Sequence, residues 1–217
     1  MRGRTLGADH EPTLDDWRLV VERAADLQRA VAGHRDAMLA TGLPDCAPGT
    51  VLERFDAVYE RLRTMPVGHP SRLTDEEAAL LADRRGSVAA AGDLLVDAAL
   101  PDTLQHGDLH PGNVFACDRG RFDFGDAQWA PAAEVLCIPQ AVLESDGLAW
   151  QPVFEAYADR WGDLVDPAGT RALLRAAALT HPINRAETWL GALAEATDDE
   201  AADWGEAPRR HVLRLFG

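Results

Sequence analysis

Residues 104–129 read LQHGDLHPGNVFACDRGRFDFGDAQW and differ in character from the rest of the 217-residue chain. This stretch gathers two His, four Asp, one Asn and four Gly, whereas the flanking sequence is mostly Ala, Leu, Arg and Glu in helical patterns. Gly, Pro and Asn are turn residues, but turn formation does not account for the His and Asp side chains. The sequence therefore predicts a polar site inside a helical protein.

The spacing of the polar residues indicates where they lie. Two short strand-like runs, NVFAC at 113–117 and RFDF at 121–124, are separated by DRG, a tight-turn sequence. A hairpin of these runs would bring Asn113 and Asp123 together. An amide oxygen beside a carboxylate suits Mg²⁺, which prefers oxygen ligands and keeps several waters.

Asp108 lies upstream of this pair and needs no metal, so it can accept a proton from a hydroxyl group. A base that orients a nucleophile and a metal ion that neutralises phosphate charge are the two parts that phosphoryl transfer requires. The residues thus favour a phosphotransferase site.

The pattern H-x-D-x-x-x-x-N followed by D-F-G is the catalytic-loop signature of kinases. The strings HGDLHPGNVF and FDFGDA resemble the aminoglycoside phosphotransferase and choline-kinase-like family of small-molecule kinases. The resemblance implies Asp108 as catalytic base, with Asn113 and Asp123 as ligands of Mg²⁺ that accompanies ATP or another nucleoside triphosphate. It also implies that His106 braces the loop. His110 can contact the cofactor or simply pack the loop, and both interpretations stay open.

The resemblance extends to the substrate, which is expected to be a small-molecule hydroxyl compound. Aminoglycoside, macrolide, amino-alcohol and sugar kinases share this loop, so the sequence does not name one, and antibiotic resistance is among the roles implied. The candidate substrate contacts are acids near the motif or on later helices: Asp126, Glu144, Asp146 and Glu187. A solvated helix face is the competing interpretation for these acids, and the role of Glu134 is open.

The flanking sequence predicts helices. Capping boxes at Thr13 and Thr74 begin two of them. The predicted helical ranges are 14–38, 51–65, 75–99, 132–145, 152–161, 167–179 and 185–196, with a short piece ending at 216. The expected fold is mostly α with a small β-hairpin, a protein-kinase-like C-terminal lobe whose N-terminal β lobe is absent. Residues 1–217 are expected to form this one lobe, with leading helices at 1–100, the catalytic loop and metal-binding hairpin at 101–130, and a helical substrate-side subdomain at 131–217.

A kinase of this type also needs a sheet-rich first lobe with a Lys that grips the nucleotide phosphates. Before Leu104 the chain shows neither strand hairpins nor a Gly-rich phosphate loop, and all 21 of its basic residues are Arg. A truncated chain, a mis-started reading frame and a one-lobed relative all remain open. We expect the chain alone to bind ATP weakly and to turn over slowly or not at all.

The bulk composition limits the partners. A net charge of −15 argues against nucleic acid and is compatible with either simple solubility or a cationic ligand. The three Cys show no disulfide or zinc spacing, and neither a signal peptide nor a membrane span is evident. A cytoplasmic protein is expected, and its oligomeric state is open.

Two other functions compete with a kinase. GDLH superficially resembles the Asp-x-His ligands of binuclear metallophosphatases, but that class needs further ligand strings and a β-sandwich. A non-catalytic binding or regulatory module derived from the kinase lobe is the second alternative, and the missing Lys is its best support.

Overall fold

A computed structural model describes residues 5–8, 11–115 and 123–216 of the chain. Helices dominate it, which confirms the mostly α fold class. In the described part of the chain the α-helices are α1 (Leu14–Val31), α2 (Arg35–Leu39), α3 (Val51–Thr64), α4 (Asp75–Val96), α5 (Cys137–Ser145), α6 (Gln151–Arg160), α7 (Pro167–Ala192), α8 (Asp198–Trp204) and α9 (Ala207–Val212). Within the same ranges, no helix is both long and apolar enough to cross a lipid bilayer.

The chain divides into two compact units. The first contains Met1–Ala47 and Ala98–Leu174, and the second contains Pro48–Asp97 and Arg175–Gly217. The candidate catalytic residues of the loop and of the D-F-G segment all belong to the first unit.

Helix α1 forms the centre of the first unit. The side chain of Thr13 accepts the N–H of Asp16, and the Asp16 carboxylate accepts the N–H of Thr13, so the predicted capping box is present. Trp17, Val20 and Val21 are fully buried. At the other end of the helix, the Arg29 guanidinium binds Asp163 through two hydrogen bonds of 2.7 Å. The helix is thus anchored along its apolar face and at its C-terminal end.

The small sheet also lies in the first unit. Strand β1 (Asp102–Gln105) pairs antiparallel with β2 (Gln128–Pro131), and Gln105 lies opposite Gln128. A small antiparallel element was predicted, but in a different place. Phe124 belongs to a 3-10 turn rather than to a strand, and the predicted DRG turn falls at 118–120, outside the described residues. All four residues of β2 are buried, and burial on both faces favours strand formation in this run.

The second unit has its own apolar core, formed by α3, α4, the C-terminal part of α7 and the last helices. Phe55, Leu62, Leu81 and Ile183 are among its buried side chains. Helix α4 is continuous although it contains two glycines that weaken its helical propensity. At Gly92 a Cβ would lie 2.7 Å from Val51 Cγ1, so this glycine permits close packing on the start of α3.

The predicted break between helices at 167–179 and 185–196 is wrong. A single helix, α7, runs through this region with Pro182 inside it. Proline removes one backbone hydrogen bond from a helix. Thr180 and His181 before it and Ile183 and Asn184 after it are buried, and this packing sustains the helix across the proline.

Candidate active site

The loop from His106 to Asn113 begins where strand β1 ends. Gln105 is the last residue of β1, and its pairing with Gln128 fixes the position of His106. Gly107 adopts a left-handed backbone with φ of 78°, and Pro111–Asn113 forms a short 3-10 turn. The strand, the glycine turn and the 3-10 turn together fold the motif back on itself.

The backbone carbonyl and the side-chain carboxylate of Asp108 make separate contacts. Its carbonyl oxygen accepts the N–H of His110 and the side-chain amide of Asn113, each at 3.0 Å. The carboxylate atom Oδ2 lies 3.5 Å from Asn113 Nδ2 and 3.5 Å from His110 Nε2. The side chain keeps 32% of its surface exposed. The carboxylate is therefore oriented by its neighbours and still open to a substrate.

The ring of His110 is oriented by the backbone that follows it. Its Nδ1 accepts the N–H of Gly112 at 3.0 Å. A nitrogen that accepts a hydrogen bond carries no proton, so the neutral ring has its proton on Nε2, the atom that faces Asp108. At Gly112 a Cβ would lie 2.6 Å from His110 Cε1, so only glycine leaves room for this ring.

Asn113 and Asp123, the predicted metal ligands, differ in exposure. Asn113 is buried, and both of its side-chain hydrogen bonds use the amide nitrogen, which leaves the amide oxygen to act as a ligand. Asp123 is exposed and adopts a left-handed backbone with φ of 58° and ψ of 64°. Such a backbone is uncommon outside glycine and is often found at functional sites.

The donor set suits a hard cation that retains water. Asn113 and Asp123 both offer oxygen atoms, as Mg²⁺ requires. Over residues 5–8, 11–115 and 123–216, no group of three or more His, Cys, Asp or Glu side chains could hold a metal ion. A two-ligand magnesium site completed by phosphate oxygens and water does not need such a group.

The D-F-G segment contacts the loop at His106 and Gly107. The buried His106 ring packs on Phe124 with 4.8 Å between ring centroids. A Cβ at Gly107 would lie 2.0 Å from the carbonyl oxygen of Asp126, so the two backbones are in close contact. The predicted bracing role of His106 stays a prediction, and its contact with Phe124 is consistent with that role. Asp126 is half-buried, and its backbone joins the two motifs.

A buried hydrogen-bond network, which was not predicted from the sequence, supports the start of the loop. Gln28 Nε2 donates to Gln105 Oε1 at 3.2 Å and to the carbonyl of Ala132 at 3.1 Å. The Tyr157 hydroxyl donates to Gln28 Oε1 at 2.9 Å, and burial strongly raises the pKa of this hydroxyl. Thr103 and Gln105 are the buried residues of β1, so polar residues at alternate strand positions were the available signal.

Glu134, whose role was open, belongs to the same buried region. Gln128 Nε2 donates to Glu134 Oε2 at 3.3 Å, and Gln128 Oε1 accepts the thiol of Cys46 at 3.4 Å. Glu134 is 2% exposed. Burial, together with the negative charge of Glu134, holds the pKa of the Cys137 thiol well above its usual value. Glu134 is therefore enclosed by protein groups, and its carboxylate is not accessible to a substrate.

The remaining candidate substrate acids are dispersed. Glu144 is exposed and accepts a hydrogen bond from Gln140 at 2.8 Å, and Asp146 caps the end of α5. Glu187 belongs to the other unit, where its Oε2 lies 3.7 Å from Arg54 Nε. The structure does not gather these acids into one cluster within a unit, and their contact with substrate stays a prediction.

Comparisons with known proteins identify the family and the fold. The sequence model of APH, described as the phosphotransferase enzyme family, matches residues 2–173. Among solved structures, the fold is similar to an ethanolamine kinase from Plasmodium vivax, with a TM-score of 0.63 and 13% sequence identity. That similarity covers 98% of this chain and 64% of the kinase chain, so this chain spans less than two thirds of its neighbour. No curated protein matches the chain. The predicted kinase-like lobe is confirmed.

Proposed function

Because the chain belongs to the phosphotransferase enzyme family, we propose that its loop catalyses transfer of a phosphoryl group from ATP to the hydroxyl of a small molecule. The observation that carries this proposal is the Asp108 carboxylate, which is partly exposed and is held between Asn113 and His110. A general base must lie within hydrogen-bond reach of the proton that it removes, and an accessible, oriented carboxylate meets this requirement.

In the proposed reaction, Asp108 accepts the hydroxyl proton while the substrate oxygen attacks the terminal phosphorus. The new O–P bond forms as the bond between that phosphorus and the bridging oxygen breaks, and ADP leaves. The amide oxygen of Asn113 and the carboxylate of Asp123 would hold the magnesium ion. When bound, Mg²⁺-ATP supplies the phosphoryl group and neutralises the charge that develops on the phosphates.

His110 directs its Nε2 proton towards Asp108 in this proposal. The contact of this nitrogen with the carboxylate limits rotation of Asp108 away from the acceptor. In this proposal, the contacts of His106 with Phe124 and of Gly107 with Asp126 keep the D-F-G segment next to the loop. Positioning of this kind accounts for much of the catalysis of phosphoryl transfer, since the protein forms no covalent bond.

The substrate class proposed here is a small alcohol, with cationic amino alcohols as the first candidates. Support comes from the net charge of −15 and from the name of the structural neighbour, an ethanolamine kinase. The chain contains no Lys to grip the nucleotide phosphates, so weak affinity for ATP is part of the proposal.

The test measures acceptor-dependent ADP release by the full chain with Mg²⁺-ATP and a panel of ethanolamine, choline, aminoglycosides and sugars. Asp108→Asn should lower the rate by about 10²- to 10⁴-fold and leave the affinity for Mg²⁺-ATP unchanged, since the residue acts as a base and not as a ligand. Asp159→Asn, at an exposed position on α6, is the matched control and should keep the rate of the unmodified chain.

Calorimetric titration with Mg²⁺-ATP separates the outcomes. Binding of Mg²⁺-ATP without phosphorylation of any acceptor would refute the enzymatic proposal. It would support a non-catalytic binding module, the alternative that the absence of Lys favours. Turnover that survives Asp108→Asn would remove Asp108 from the mechanism. If the chain shows no binding of Mg²⁺-ATP and no turnover, the phosphotransferase proposal for this chain is refuted.

A further inference from the structure

The second unit contains a cavity of about 420 Å³ that phosphoryl transfer does not use. Its walls come from the ends of α3 and α7, from the loop at 66–73, and from α8 and the start of α9. Every lining residue belongs to Pro48–Asp97 or Arg175–Gly217, so neither the catalytic loop nor the D-F-G segment contributes to it. Small-molecule sites in proteins commonly measure about 300–1,000 Å³, and this cavity falls within that range.

Most of the wall is hydrocarbon. Leu190 and Pro208 are buried, Met65 and Leu193 are half-buried, and Ala202 is exposed. The cavity therefore has a buried side and a side that solvent can reach. Release of water from apolar walls favours the entry of an apolar molecule.

The polar groups of the wall balance one another in charge. Arg61 and Asp198 carry opposite charges, and one guanidinium nitrogen of Arg61 donates to the Leu190 carbonyl at 3.3 Å. The ring of His69 accepts the N–H of Ser71 on Nδ1 at 3.0 Å, so its neutral form has a proton on Nε2 to donate. Such a wall does not select a net charge, but it offers one or two hydrogen bonds.

The cavity is also preformed. The loop at 66–73 is fixed by the Leu73 N–H, which donates to Leu62 at 3.3 Å, and by the Arg72 guanidinium, which donates to the Met65 carbonyl. At Gly205 a Cβ would lie 2.8 Å from Pro70 Cγ, so loop and helix are in direct contact there. A preformed cavity lowers the entropic cost of ligand binding.

We propose that this cavity binds an uncharged, mostly apolar small molecule. The proposal is independent of phosphoryl transfer, because the two sets of residues do not overlap. Volume, hydrocarbon lining, balanced charge and fixed walls all favour this class of ligand over an ion or a nucleotide.

The first experiment titrates the full chain with the uncharged fluorescent amine N-phenyl-1-naphthylamine. We expect saturable binding of one molecule per chain. Ala202→Leu and Ala201→Leu each place extra carbon atoms at the wall and should weaken binding at least tenfold. Ala82→Leu, an exposed alanine on α4 outside the cavity, is the matched control and should leave affinity unchanged. The anionic relative 8-anilino-1-naphthalenesulfonate should bind no more tightly than the uncharged amine.

Absence of saturable binding to the unmodified chain would overturn the proposal. Equal affinities of the Ala202→Leu and Ala82→Leu variants for the amine would also overturn it. Thermal melts show whether each variant is folded. Should both cavity variants unfold, an uncharged diazirine analogue of the amine still decides the matter on the unmodified chain. Peptide mapping should find the label within 61–71 or 190–208, and labelling confined to other segments would refute the site.

Discussion

The Nε2 atom of His110 lies 3.5 Å from Oδ2 of Asp108. The other ring nitrogen of His110 accepts the backbone N–H of Gly112, which leaves the Nε2 proton directed at the proposed base. His110 is thus in contact with the Asp108 carboxylate. The sequence alone did not distinguish a packing role from a chemical role for this histidine.

Replacement of His110 tests this contact. His110→Leu removes the polar ring that contacts Asp108 Oδ2 at 3.5 Å, and a less well oriented base should lower kcat about 10- to 100-fold. His110→Gln keeps an amide donor and should retain more activity than the Leu variant. Acceptor phosphorylation by the full chain gives kcat and KM for each variant. Equal rates for Gln and Leu, or an effect on KM alone, would contradict a role in orienting Asp108.

Gly107→Ala should destabilise the first unit. The new Cβ would lie 2.0 Å from the Asp126 carbonyl oxygen, and the backbone has φ of 78°, so the loop and the D-F-G segment must separate. We expect a loss of at least about 2 kcal/mol in the free energy of unfolding, measured by urea denaturation.

The matched control for that change is Gly86→Ala, in the middle of α4. A Cβ at Gly86 would meet nothing within 4 Å. The substitution should stabilise the protein by about 0.5–1 kcal/mol, because alanine restricts the unfolded chain and favours helix. If both glycine variants change stability by the same amount, the contact between Gly107 and Asp126 is not as close as described.

Gln28→Leu should break the buried network under the loop. The change removes the donor to the buried Gln105 side chain and to the Ala132 carbonyl, and it removes one of the two acceptors near the Tyr157 hydroxyl, which keeps the Ala132 carbonyl at 2.9 Å. The expected loss of stability is about 2–4 kcal/mol. Gln151→Leu, at an exposed position on α6, should change stability by less than about 0.5 kcal/mol. Urea denaturation of both variants checks the difference, and similar losses would show that burial of the network is unimportant.

His211 should make the stability of the second unit depend on pH. Burial, and to a smaller extent the positive charges of Arg185, Arg214, His181 and Arg210, lower the pKa of His211 to about 3. The unfolded chain takes up a proton on this residue near pH 6.5, whereas the native state does not until about pH 3. The free energy of unfolding therefore loses nothing to His211 above pH 6.5, and it decreases as the pH falls from 6.5 towards 3.

The corresponding measurement is the free energy of unfolding at pH 7, 6 and 5. His211 should contribute a slope of roughly 1 kcal/mol per pH unit across this window. His211→Gln cannot titrate and should flatten the dependence, whatever its effect at pH 7. His34→Gln, at an exposed position, should keep the slope of the unmodified chain. An unchanged slope in the His211 variant would refute this assignment.

Helix positions and the kinase-like lobe could be predicted because their signals are local. Thr13 with Asp16, and Thr74 with Glu77, form the predicted capping boxes, and the helices that follow begin at Leu14 and Asp75. The sheet was harder to place, since β1 and β2 each have four residues and pair across a long segment of sequence. The break predicted between residues 179 and 185 is absent, because burial of the residues around Pro182 overrides the local preference of proline.

In the candidate site, too, residues in a local motif could be predicted and long-range partners could not. Asp108, Asn113 and Asp123 were selected by their spacing in a motif, and the loop brings Asp108 and Asn113 into contact. The supporting residues could not be found in this way. Gln28 lies 77 positions before Gln105, and no spacing rule links two glutamines that meet only in the folded protein. Such long-range partners of a motif are set by packing.

The pairing of Gln105 with Gln128 has a consequence for how this segment can change in evolution. It closes a loop that runs from residue 106 to residue 127. The entropy of loop closure grows slowly, by about 0.6 kcal/mol for each doubling of length, so insertions between the two motifs cost little. A slip of one residue in the strand register would instead turn Gln105 out of the buried network. Relatives of this chain should therefore vary in the length of this loop while the register of the two strands stays constant.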